Sequence, residues 1–62
     1  MRQVMVEREL DLGDKYLQLV KEKNGYFKVI IQNKDGSNTE LVGSGLDHES
    51  AKNLFFECKL KL

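Results

Sequence analysis

Residues 15–31, KYLQLVKEKNGYFKVII, hold two apolar alternations that meet across one turn signal. Leu17 and Leu19 alternate with Tyr16, Gln18 and Val20, and Phe27, Val29 and Ile31 alternate with Tyr26, Lys28 and Ile30. A period of two marks a half-buried strand. The connection between them sets the register. Asn24-Gly25 invites a two-residue type I′ turn, but that turn puts Lys21 opposite Lys28 and leaves Leu17 and Leu19 on the face away from Phe27, Val29 and Ile31. A three-residue loop, Lys23-Asn24-Gly25, with Gly25 as a left-handed bulge shifts the pairing by one. All five apolar residues then share a face and like charges separate. A bulged hairpin is therefore expected.

Upstream, Val4, Val6, Leu10 and Leu12 occupy even positions among mostly polar odd ones, with Arg8 as the one break. Gly13-Asp14 has glycine where a type II′ turn needs it. That turn pairs Leu12 with Lys15 and Leu10 with Leu17, so the even positions of the first strand should face the same core as Leu17 and Leu19.

Downstream, Lys34-Asp35-Gly36-Ser37-Asn38 is rich in turn formers, so the third strand should end near Asn33 and a fourth should run from Thr39 to about Ser44. Gly43 and Gly45 on that strand have two readings of equal weight. Both leave room for a helix to approach, or they bend the chain at the strand's end. Asp47 reads as a helix N-cap, with Glu49 in the positive first turn and Leu46 and Ala51 at the staple positions. From there Ala51, Leu54, Phe55, Cys58 and Leu62 form one apolar stripe at helical spacing. The expected architecture is α+β: one ββββα domain over residues 1–62, a small antiparallel meander of three to four strands packed against a single C-terminal helix.

A chain of 62 residues makes a modest core, and a core of this size supplies only roughly 3–5 kcal/mol. Cys58 is the only cysteine and His48 the only histidine, so neither an intrachain disulfide nor a structural zinc site can be assembled from them. Self-association or a very regular fold is the remaining source of stability. The chain starts at Met1 without a signal-peptide pattern and has no apolar run of spanning length, so a cytoplasmic protein without a membrane partner is expected. Ten basic and ten acidic residues balance to zero net charge, so no global field selects a partner.

The residue types offer little chemistry. Asp47-His48-Glu49-Ser50 contains catalytic-looking side chains, but neighbours on a helix point in different directions and cannot converge on one atom. Cys58 falls within the core stripe, where a free thiol behaves as a small hydrophobe. Glu7, Glu9, Asp11 and Asp14 read as a solvated acidic strand face and turn, without the loop of oxygen ligands that a hard cation needs. No enzyme activity, catalytic residue, metal site or cofactor is expected.

Two signals point to binding. Phe56 and Leu60 stack at i, i+4 on the side of the helix away from the core stripe. The outer sheet face, with Tyr16, Val20, Tyr26, Ile30 and Val42 among Gln18, Lys28 and Gln32, adds an amphipathic aromatic surface. Phe56, Leu60, Tyr26 and Ile30 are the candidate protein-interaction residues.

The second signal spans residues 26–62. Tyr26-Phe27-Lys28-Val29-Ile30-Ile31, Asp35-Gly36, Leu41-Val42-Gly43-Ser44-Gly45 and Ser50-Ala51-Lys52-Asn53 resemble the strand-strand-helix half of the double-stranded-RNA-binding domain. In that family lysines in the first turn of the helix meet phosphates, and Ala51-Lys52 matches its Ala-Lys step. His48 and Glu49 stand where the family has a lysine pair, and its first helix has no counterpart before Tyr16. The resemblance implies duplex-RNA binding at the helix start, with His48 and Lys52 as the candidate residues; the lysines of the central hairpin, Lys21, Lys23 and Lys28, add charge that extends the expectation to duplex RNA or DNA. The first expectation remains a small protein-binding or self-associating module, a regulatory or accessory factor of the kind that bacteria and phages encode. Its partner would be another protein or a second copy of itself. Nucleic-acid binding is the alternative.

Overall fold

A computed structural model describes residues 5–61. Four strands, β1 (Met5–Asp11), β2 (Lys15–Lys21), β3 (Phe27–Asn33) and β4 (Thr39–Leu46), precede one helix, α1 (His48–Lys61). The strands form an antiparallel meander in the order β1-β2-β3-β4. The helix packs on one face, against β2, β3 and β4.

The registers of the first two hairpins follow from turn chemistry. At the first, Leu10 pairs with Leu17, and the Leu12 amide donates to the Lys15 carbonyl at 2.8 Å. Gly13 alone in this turn has positive φ, +102°, as a type II′ turn requires. At the second, the Glu22 amide donates to the Tyr26 carbonyl and the Gly25 amide donates to the Glu22 carbonyl, closing the three-residue loop with Gly25 at φ +90°. Leu19 therefore meets Val29 and Leu17 meets Ile31. Leu17, Leu19, Phe27, Val29, Ala51 and Phe55 make the buried core under the helix, with Leu10, Leu12, Ile31, Val42, Leu46, Leu54 and Cys58 packed around it. Leu62 and Val4, assigned to the same core from sequence, lie outside the described residues.

Register slips revise the parity expected of the outer strands. In β1 the register slips between Val6 and Arg8. Val6 consequently pairs with Val20 on the face away from the helix, while Arg8 pairs with Leu19 on the helix side. The even positions do not share one face: Leu10 and Leu12 reach the core and Val6 does not. Arg8, the break in the alternation, stays on the core side, in the register that the first turn sets. An arginine fits the core side there because its guanidinium extends over the Phe56 ring, 5.8 Å from the centroid. In β4 the register slips between the Val29–Gly43 and Ile30–Leu41 pairs, which turns Val42 into the helix-side core and away from the outer face where alternation had put it.

The two glycine readings divide between the two glycines. A Cβ on Gly43 would lie 2.6 Å from Leu54 Cδ2, so this residue admits the helix. Gly45 has φ +64° and open space around it, so it serves the bend that brings β4 into the helix. β4 itself runs on to Leu46, two residues past the expected end. Asp47 caps α1, its Oδ1 accepting from the Ser50 amide at 2.8 Å. Hydrogen bonds from the Ser50 hydroxyl and amide hold the Asp47 carboxyl below the usual aspartate range.

Candidate functional site

The face of the sheet opposite the helix is covered by no element among the described residues, since α1 meets only the other side. Register places its side chains in rows. One row runs Glu9, Gln18, Ile30, Leu41 and the next runs Val6, Val20, Lys28. Each row is part apolar, and the apolar parts lie at opposite ends. Val6 and Val20 in one row and Ile30 and Leu41 in the other form an oblique stripe across all four strands. Antiparallel sheets with one covered face ordinarily alternate cleanly between apolar inside and polar outside; this one departs from that on its open side.

Burial along the stripe is graded. Val20 is only 1% exposed and Ile30 8%, although neither belongs to the cluster under the helix. Leu41, at 59%, and Val6 are exposed. The polar flanks are ordered: Gln18 Nε2 donates to Glu9 Oε2 at 2.7 Å. At the Asp14 end, Lys34 Nζ donates to Asp11 at 3.0 Å and stands 5.0 Å from the Tyr16 ring centroid. The Gly13 amide and then Lys34 lower the Asp11 pKa, and the same carboxylate raises that of Lys34.

The four candidate interaction residues do not form one surface. Tyr26 and Ile30 belong to the outer face; Tyr26 is exposed beside the second turn, while buried Ile30 forms the floor of the stripe. Phe56 and Leu60 are on the helix. Phe56 meets Phe55 edge to face and is approached by Arg8 and Lys59, whereas Leu60 is 85% exposed. The residues that sequence reading missed are Val6, assigned to the core, and Leu41, assigned to nothing. A bulge beside each of them hid their parity.

The nucleic-acid candidates divide as well. His48 packs against Phe27 with the rings tilted at 58° and their centroids 5.0 Å apart, and its Nε2 is 3.7 Å from Glu7. Lys21 pairs with Phe27 on the same helix side, Lys23 is exposed in the adjoining loop, and Lys52 is half-buried on α1. Lys28 pairs with Val20 on the other face. The acidic residues also separate, contrary to a single acidic face: Glu7 meets His48 at the helix, while Glu9 bonds Gln18 outside. Among the described residues no three His, Cys, Asp or Glu side chains gather as a metal site requires. None of the described helices is long and apolar enough to cross a membrane.

No protein-family model, curated protein or solved structure matches this chain.

Proposed function

We propose that this chain acts by binding protein through its outer sheet face, not by catalysis. The observation that supports this is the Val6–Val20–Ile30–Leu41 stripe, an apolar band on a face that no element among the described residues covers. Domains are ordinarily built from packed layers that bury such bands, and an apolar centre with a polar rim is the composition of a contact surface. Tyr26 extends the same face and supplies an aromatic of the kind that interfaces favour. The helix pair Phe56 and Leu60 supports the reading less, because Phe56 is already engaged by Arg8. Duplex nucleic-acid binding is also supported less, because Lys28 is on the face opposite Lys21 and His48.

A photoreactive side chain at position 41 tests the proposal, with one at the exposed Asn53 of the helix as its control. Illumination in the native cell is expected to join a protein to position 41 and not to position 53. No adduct at position 41 would end this reading.

A further inference from the structure

We propose that the partner on this face is a second copy of the same chain, related by a twofold axis lying in the interface along the Val6–Val20–Ile30–Leu41 stripe. This rests on the reading of the outer face as a protein-binding surface and names its occupant. The argument is the arrangement of charge around the stripe. Glu9 and its hydrogen-bonded Gln18 complete one row, on one flank, and Lys28 completes the other row, on the opposite flank. A half-turn about the stripe lays the apolar residues of two copies on one another. It also carries the Glu9–Gln18 pair of each copy onto Lys28 of the other. Two equivalent acid–base contacts result, which is the self-complementarity that an isologous twofold interface demands.

Three further features suit this occupant. Among the described residues Lys28 has no carboxylate within ion-pair distance, so its charge is available to a partner. The chain is a slab of 31 × 29 × 15 Å, and one broad side of it is comparable with the roughly 800 Å² per partner that a standard interface buries. Zero net charge also means that two copies approach without overall repulsion.

Sedimentation equilibrium of the full chain, from micromolar to millimolar, is expected to show the mass rising to twice that of one chain. Leu41→Glu, at an exposed position, should weaken the dimer at least about tenfold. Glu9→Lys and Lys28→Glu are each expected to stay monomeric when alone, because like charges then face each other. Mixed in equal amounts they should dimerise, since the twofold sets each new charge against its opposite. Circular dichroism of each single variant checks that it is folded. A wild-type chain that stays monomeric throughout, or single variants that fail to combine when mixed, would overturn the dimer. The adduct at position 41 separates the two levels: a band at twice the chain mass supports self-association, a different protein there leaves the binding face standing and removes the second copy, and no adduct removes both.

Discussion

The two faces of this sheet are built on the same strands, yet one is sealed by a helix and the other is covered by no element among the described residues. Val29 and Val20 make the contrast concrete, as one valine on each face with essentially no exposure. Val29 is held beneath α1, where Ala51 and Phe55 close the core. Val20 lies on the other face, which α1 does not reach. Equal burial in a static structure therefore need not mean equal contribution to stability, because what matters is whether the surroundings can relax into space left behind.

The largest expected effect lies under the helix. Leu19→Ala should cost about 2–5 kcal/mol, a large part of what a core this size supplies, and denaturant titration should find it mostly unfolded. The valine pair sharpens the comparison. Val29→Ala is expected to cost about 2–3 kcal/mol and Val20→Ala about 1 kcal/mol, since outer-face side chains can close over the gap or admit water. Equal losses in urea titrations at low protein concentration would show the outer face to be as rigidly packed as the core.

Gly43→Val probes how closely the helix approaches. The added side chain meets Leu54, so a loss of about 1–3 kcal/mol is expected from overpacking. Much of it should be recovered in a cycle with Leu54→Ala, and additive losses would mean the contact is not the cause.

Acid should loosen the polar trim of the turns and the helix cap. Asp11, Asp35 and Asp47 all have depressed pKa values: Asp11 through the Gly13 amide and Lys34, Asp35 through the hydroxyl and amide of Ser37, and Asp47 through those of Ser50. A carboxylate depressed by folding contributes stability that is present above its unfolded value and lost as pH falls through its folded one. The melting temperature should therefore decline below about pH 4. Replacing the three with asparagine should flatten that decline. The smallest effect is reserved for Leu41→Ser, within about 0.5 kcal/mol for the monomer. A leucine exposed at 59% contributes little to its own fold.

Much of the architecture was legible because turns act locally. Gly13-Asp14 and Lys23-Asn24-Gly25 impose their backbone geometry within a few residues, and the alternation of Leu17, Leu19, Phe27, Val29 and Ile31 then left one register that buries them together. Asp47 and the helical stripe were legible for the same reason. The candidate surface was legible only in part. Tyr26 and Ile30 lie on the central hairpin, whose parity is pinned by its turn, and they were placed correctly on the outer face. Val6 and Val42 lie on the outer strands, and strict alternation put each on the wrong side.

Composition, turn chemistry and period thus determined the element order, the registers of the first two hairpins at their turns and the face that the helix covers. The bulges beyond Val6 and at Val42, the separate roles of Gly43 and Gly45, and the oblique stripe on the open face were settled by packing. A bulge forms where cross-strand neighbours and an approaching helix favour one extra residue, and those neighbours are distant in the chain. A period-two reading carries no information about them, and a single inserted residue reverses every side chain beyond it.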